Sequence, residues 1–554
     1  MSSLRCSKPG LETAVALIAT AFFAIVLLMA AMYVGPLWRD EVNTANLAQM
    51  PSWTELWHNL PCESFPPLWP LMLRGCGFLG LAGSDAGIRV VGFYVGLIFL
   101  GSLWLTARWL KCRAPIISIA LLGSLPAFVF IVGANRAYGL ASCLLVLSFG
   151  LIWRMVELPS RTRVLLAGIT SLLFANCVYF DGIFLAGMLG GGALVTMRRQ
   201  DWKTLAALVG IGTISAASLL IYLPIIRRGA DYVPMVQWPA FTFASLWNGL
   251  GDALTARSSG EMGHNGPEVW LWIGLILGGS VLALLAQRAR AKSMIDPKAA
   301  VPPFVRDRAD LALYCAVSML VGVVGMMAFL ARLHYLPQSW YFIEMLCLCA
   351  VSLDGLLGGS RPALRPGGML RIGFLVVMMS WGGKSAWTEA HTRRSNVDLI
   401  ATVLEKNAVA GDLIVVQAAW EGITFNRYYH GAADWVTVPP IESHLVHRND
   451  LVLEKIRQPN AMEPVLKEMA EALQGGHAIW LVGYKAAPEA NPPPANQSIK
   501  WLGTHLTYWE GQVMGTLLNH ALQEQVVQIP PGAPVCYLED LPLSRFTGYK
   551  AGNN

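Results

Sequence analysis

The first long apolar stretch lies at residues 14–34, AVALIATAFFAIVLLMAAMYV, 21 residues without a charge and with Arg5 and Lys8 ahead of it. About 20 apolar residues suffice to cross a bilayer as a helix. The run is longer than the apolar region of a cleaved signal peptide. It therefore reads as an uncleaved first span with a cytoplasmic N-terminus. Further apolar runs follow at 66–83, 88–110, 115–133, 137–156, 164–179, 182–197, 204–226, 269–286, 311–330, 340–357 and 371–388.

Basic residues decide which of these runs cross, because Lys and Arg concentrate in short cytoplasmic loops. If 66–83 does not cross, the loops on the N-terminal side carry 20 basic residues. The other side then holds chiefly Arg39, Arg89, Arg136, Arg227, Arg228, Arg257 and Arg332. If 66–83 does cross, every later loop inverts and the bias is lost. Eleven spans are predicted, with 66–83 lying along or dipping into the outer face, as Pro66, Pro67 and Arg74 favour. This topology puts residues 35–87, 227–268 and everything after about 389 outside.

Composition supports the membrane assignment. Of 554 residues, 55% are hydrophobic and 14% charged, against about 25% charged in ordinary soluble domains. The mean hydropathy is +0.48. These values exclude a disordered chain, a disulfide scaffold and a simple soluble enzyme. Charge is also divided unevenly. Residues 1–388 hold 29 basic and 18 acidic side chains, whereas 389–554 hold 12 and 17. A basic membrane part joined to an acidic soluble part is not a nucleic-acid profile. Its basic residues serve as topology signals and lipid-phosphate contacts. The ten cysteines contain no C-x-x-C pair and read as small packing residues.

Residues 389–554 change character. LIVVQAA after Gly411-Asp412 and AIWLVGY (478–484) after Gly475-Gly476-His477 read as buried strands, and 535–538 as a third. Residues 397–407 and 462–474 have helical spacing. The alternation predicts a small extracytoplasmic α/β domain. No G-x-G-x-x-G follows a strand, so a dinucleotide site has no support. Asn496-Gln497-Ser498 matches the N-glycosylation acceptor pattern, and Pro492-Pro493-Pro494 reads as a surface loop.

Candidate chemistry lies in the first external loop, W38-R39-D40-E41-V42-N43. Two adjacent carboxylates directly after a span are explained structurally as a favourable helix start. A carboxylate at a membrane interface, roofed by a second helix, can instead keep a raised pKa and act as a base. No metal-ligand spacing is evident; Glu261, His264 and Asn265 follow no known pattern. Trp238, Phe241, Phe243 and Trp247 read as an interfacial aromatic belt.

Four stretches, in this order, carry a resemblance: R-D-E-V-N (39–43), F-P-P-L-W-P-L-M-L-R (65–74), G-S-D-A-G-I-R (83–89) and A-N-R-A-Y-G-L (134–140). G-D-L-I-V-V (411–416) with R-Y-Y-H (427–430) adds to it. The chain resembles the GT-C superfamily of membrane glycosyltransferases, in the branch of the protein O-mannosyltransferases and lipid A aminoarabinose transferases. The resemblance implies a polytopic α-helical GT-C-like domain over 1–388 and a soluble domain over 389–554. It implies inverting transfer of a sugar from a polyprenyl-phosphate donor to an acceptor hydroxyl on a glycan, lipid or protein, on the extracytoplasmic side of a plasma membrane, a bacterial inner membrane above all. Asp40 matches the family's catalytic aspartate, and Glu41 would orient the acceptor or arginine partners. A departing phosphate needs cations, for which Arg136, Arg332, His334 and Tyr341 are the candidates. Arg39, Tyr138, Tyr179 and Asp181 complete the expected pocket, and Arg89 reads as a helix cap. Some members use a divalent ion near the loop carboxylates, so a metal at Asp40 is a further expectation.

A transporter or flippase of lipid-linked sugars is the alternative. It would show mid-span charges and inverted repeats, of which the sequence has few and none respectively. A non-catalytic sensor or scaffold would leave the Asp40-Glu41 placement unexplained.

Overall fold

The structure, a computed structural model, describes residues 10–230, 242–255, 266–295, 303–333, 337–358, 365–488, 502–530, 532 and 534–550. His334, Trp238, Phe241, Glu261, His264, Asn265, the proline run and the Asn496 acceptor pattern lie outside them.

Apolar runs become helices because lipid cannot satisfy backbone polar groups, so the chain must pair them internally. The first part comprises α1 (Leu11–Tyr33), α2 (Arg39–Ala48), α3 (Trp53–Asn59), α4 (Leu68–Gly77), α5 (Asp85–Trp109), α6 (Ile116–Gly123), α7 (Pro126–Val132), α8 (Ala137–Glu157), α9 (Arg161–Ala175), α10 (Asp181–Arg199) and α11 (Trp202–Leu219). Helices Pro267–Ile295, Pro303–Leu333, Ile343–Leu357 and Arg365–Ala390 follow. Among the described residues, seven helices are long and apolar enough to cross a membrane. The other runs predicted to cross form shorter, interrupted or more polar helices. Residues 115–133 break into α6 and α7 where Pro126 removes a backbone donor. The 66–83 run yields only the 10-residue α4, about 15 Å long, half of what a span needs.

Ile18, Leu165, Leu220, Val324 and Leu370 stand exposed on the bundle's outside, as lipid-facing residues do. Inside, Gly187 and Gly191 sit four apart on α10. A Cβ at either would lie 2.9 Å from a backbone oxygen of Ser318 or Tyr314, so the two helices touch there through bare backbone. Ion pairs gather at one end of the bundle: Arg371 Nε to Glu12 Oε1 at 2.7 Å, Arg199 Nε to Asp310 Oδ2 at 2.8 Å, and Lys111 to Glu157. The end of α1 and the starts of α5 and α8 meet at the opposite end, around α2. Cys62, Cys76, Cys112, Cys143, Cys177, Cys315, Cys347 and Cys349 are free thiols, and the last six are buried.

The C-terminal part is an α/β layer. Strands β1 (Arg393–Ser395), β2 (Leu413–Gln417), β3 (Asp434–Val438), β4 (Ile479–Val482), β5 (Ala521–Val527), β6 (Val535–Glu539) and β7 (Leu543–Tyr549) alternate with helices such as Val397–Asn407 and Glu463–Gln474. The main sheet runs β3-β2-β4-β7-β5. β2, β3 and β4 are parallel, and β7 is antiparallel to both β4 and β5. Buried Asp412 ties β2 to β4, accepting from the Ala478 N–H at 2.8 Å and Trp480 Nε1 at 3.0 Å. The strand expected at 535–538 forms, but it pairs with β1 in a separate two-stranded sheet. That pairing brings Glu539 to the membrane part. β3, β5 and β7 were not foreseen: Asp434–Val438 is short and mixed, and β5 is an exposed edge strand whose buried-face pattern is weak.

The two parts are joined by hydrogen bonds. The Arg394 N–H donates to the Val34 carbonyl at 3.0 Å, and the Leu37 N–H to the Tyr428 hydroxyl at 2.7 Å. Arg427 and Tyr428 both reach Asp85 at the start of α5.

Candidate active site at the first loop

Trp38 is extended, and α2 starts at once with Arg39, Asp40 and Glu41 in its first turn. Carboxylates there complement the positive helix end. Neighbouring positions point about 100° apart around a helix, so the two acids meet different surroundings.

Glu41 turns into the bundle and is fully buried. Arg89 holds it in a two-pronged pair, Nη1 at 2.6 Å and Nη2 at 2.9 Å, and Arg394 Nη1 adds a third contact at 2.6 Å. The Asn135 N–H donates at 2.8 Å and the Trp38 N–H at 3.4 Å. Burial works against the charge, but the Arg89 and Arg394 guanidinium groups prevail and hold the carboxyl below its ordinary range. With its oxygens so occupied, Glu41 has none open for an acceptor; its arginine partners account for it. Arg89, expected as a helix cap, instead pairs with Glu41 and the Pro36 carbonyl.

Asp40 keeps about a fifth of its side chain exposed, at 21%. Arg39 Nε lies 3.5 Å from Oδ1, His447 Nε2 3.2 Å from Oδ1, and Arg136 Nη2 3.8 Å from Oδ2. Burial again opposes ionisation, and Arg136, His447 and Arg39 outweigh it, holding the carboxyl well below the carboxylate range. This corrects the expectation of a raised pKa: the roof over Asp40 is cationic rather than apolar.

Arg136 precedes α8 and is nearly buried. Its Nη1 donates to Glu63 Oε1 at 2.9 Å, the Thr44 hydroxyl at 2.9 Å and the Asp40 carbonyl at 3.0 Å. Its guanidinium lies 4.3 Å over the Phe65 ring, and Tyr138 meets that ring edge-on at 5.1 Å. Arg39 Nη1 reaches Glu421 Oε1 at 3.1 Å, and its N–H donates to Glu539 Oε1 at 2.8 Å. Burial pushes the Glu421 and Glu539 carboxyls up, Glu539 the further because Glu421 lies beside it.

Arg39, Asp40, Arg136 and Tyr138 thus come together. Tyr341 packs edge-on against Phe180 at 6.4 Å. Arg332 is exposed at the end of its helix, with no ion pair found for it among the described residues. Tyr179 packs on Tyr222 at 6.2 Å. Asp181 is buried and accepts from the Val178 N–H at 2.9 Å, a helix-start bond. No hydrogen bond or ion pair joins Tyr179 or Asp181 to Asp40 among the described residues. The neighbours of Asp40 are two guanidinium groups and an imidazole, and among the described residues no cluster of three His, Cys, Asp or Glu is arranged for a metal.

Glu63, His447, Glu421, Glu539 and Arg394 were not foreseen. Glu63 sits just ahead of the Pro66-Pro67 motif, which was a usable signal. The others are brought in by tertiary contact from as far as 500 positions away.

No family profile and no curated protein matches the chain. Among solved structures, it is similar to the oligosaccharyltransferase AglB of Archaeoglobus fulgidus in complex with an inhibitory peptide and a dolichol-phosphate. The TM-score is 0.47 at 12% identity, over 98% of this chain and 74% of that one. It is also similar to ArnT of Cupriavidus metallidurans bound to undecaprenyl phosphate, with TM-score 0.37 at 13% identity, over 97% of this chain and 98% of that one. Both of these proteins are membrane glycosyltransferases of the GT-C superfamily.

Proposed function

We propose that the chain is an integral membrane glycosyltransferase that moves a sugar from a polyprenyl-phosphate donor to an acceptor hydroxyl at the extracytoplasmic face, with inversion. The observation that carries this reading is the pairing of Asp40 with Arg39 and Arg136 at one end of an apolar bundle. A general base must be ionised to accept a proton, and the flanking cations keep Asp40 so. Guanidinium groups also suit phosphate, which they hold with paired hydrogen bonds. When donor phosphate draws Arg39 and Arg136 toward itself, Asp40 loses their restraint and gains proton affinity as the acceptor arrives. The acceptor oxygen then attacks the anomeric carbon, its proton passes to Asp40, and the lipid phosphate leaves with the bonding electron pair. Arg136 and Arg39 stabilise the charge that develops on it. Residues 1–388 form the catalytic domain and 389–554 the external domain in this reading.

The test is release of polyprenyl phosphate from a panel of polyprenyl-phosphate hexoses and pentoses by the purified chain in nanodiscs. Asp40→Asn is expected to lower release at least about 100-fold while the protein stays folded. Full release by Asp40→Asn would refute the reading. Translocation of the intact lipid-linked sugar without release would assign the chain to transport.

A further inference from the structure

One side chain at Asp40 has no part in the chemistry above. His447 comes from the C-terminal part, 407 positions from Asp40. Its backbone N–H donates to Asn43 Oδ1 at 2.8 Å while its Nε2 stands 3.2 Å from Asp40 Oδ1. Positions 40 and 43 lie on one face of α2, so main chain and side chain of His447 are both registered on that face. A carboxylate oxygen can only accept, so Nε2 carries the hydrogen in this contact.

The second partner of Oδ1 depends on the same part of the chain. Arg39 is held by Glu421 Oε1 at 3.1 Å and, through its backbone, by Glu539 Oε1 at 2.8 Å. Glu539 is fixed in turn by the Thr424 hydroxyl at 2.8 Å. Oδ2 faces Arg136, which belongs to the membrane part. Oδ1 is thus met by His447 of the C-terminal part and by Arg39, which that part holds, while Oδ2 is met by Arg136 of the membrane part.

We propose that His447 is a positioning residue for Asp40, supplied by the C-terminal part, which holds Oδ1 so that Oδ2 beside Arg136 meets the acceptor hydroxyl. A carboxylate on a single rotatable stem has two soft torsions; a donor fixed to one oxygen removes most of that freedom and sets the plane of the other. The proposal rests on Asp40 being the reacting carboxylate. It makes the C-terminal part a component of the active site.

The experiment uses the full chain in nanodiscs with a polyprenyl-phosphate hexose as probe, reading kcat from release of polyprenyl phosphate, KM for the donor, and protease resistance of the C-terminal part. His447→Ala is expected to lower kcat on the order of 10- to 100-fold with donor KM unchanged within roughly twofold. His447→Gln places an amide N–H near the Nε2 position and is expected to restore most of the rate. Asp40→Asn inactive with His447→Ala at wild-type rate overturns the proposal and leaves the glycosyltransferase reading standing. His447→Ala and His447→Gln equally slow, with the C-terminal part newly protease-sensitive, overturns it in favour of docking alone. Asp40→Asn at wild-type rate, or no release by the wild-type chain, overturns both.

Discussion

Arg394 Nη1 lies 2.6 Å from Glu41 Oε1, joining residues 353 positions apart. The guanidinium also stacks 4.3 Å from the Phe130 ring. A single arginine just after the last helix of the bundle thus pins the C-terminal part against the helix that carries Asp40. Removing Glu41 would take the shared carboxylate from two buried guanidinium groups, Arg89 and Arg394, whereas removing Asp40 leaves Arg39 with Glu421 and Arg136 with Glu63.

Glu41→Gln is accordingly expected to destabilise the protein by about 3–5 kcal/mol, the loss seen when one partner of a buried ion pair is removed. The check is the thermal unfolding temperature in detergent. Asp40→Asn is expected to shift it far less. Equal shifts for the two variants would show that Glu41 is not the anchor.

Arg136→Ala is expected to raise KM for the lipid-phosphate donor about tenfold or more, by loss of a charge-assisted contact, with a smaller change in KM for the acceptor. Separate titration of donor and acceptor checks this. Part of the effect passes through Glu63, so Glu63→Gln is expected to give a milder version. An unchanged donor KM in Arg136→Ala would remove Arg136 from the phosphate site.

The Glu421–Glu539 pair predicts a pH dependence of docking. Both carboxyls are raised above their ordinary 4.5 by burial. The folded state therefore holds protons that the unfolded state has released, and stability falls as pH rises above that value. Hydrogen exchange of the 535–539 strand against pH is expected to show progressive loosening from acid to alkaline conditions. Glu539→Gln is expected to flatten the profile; an unchanged slope would place the titration elsewhere.

His444 predicts the opposite sign on the acidic side. It packs against Trp435 with ring centroids 4.7 Å apart, and burial lowers its pKa from 6.5 to about 4. Between these values the unfolded state binds the proton and the folded state does not, so stability is lost as pH falls through that window. Unfolding of the C-terminal part followed by Trp fluorescence is expected to show this loss, and His444→Gln to remove it.

Much of the fold is legible in local pattern. A long apolar run becomes a helix wherever it sits, since lipid leaves no other way to satisfy its backbone. The runs at 137–156, 311–330 and 340–357 lie within or nearly match their helices, and the strands at 413–417 and 479–482 follow from short apolar runs bounded by glycines. Asp40 and Arg136 are legible because each stands just outside an apolar run, where a charge needs a reason. Their partners are not, because Glu421, His447 and Glu539 are ordinary polar residues of a soluble region in sequence, and only their approach to α2 gives them meaning.

By itself the sequence determined a polytopic helical membrane protein with an α/β C-terminal part and charged residues at the first loop, since hydrophobic periodicity and turn chemistry act over a few residues. Only the tertiary structure decided that Glu41 is a buried anchor while Asp40 stays partly exposed, and that cations depress Asp40 instead of apolar walls raising it. Two adjacent carboxylates are alike as letters and differ by about 100° around a helix. What each meets in those directions is set by segments hundreds of positions away, through ion pairs that no local rule encodes.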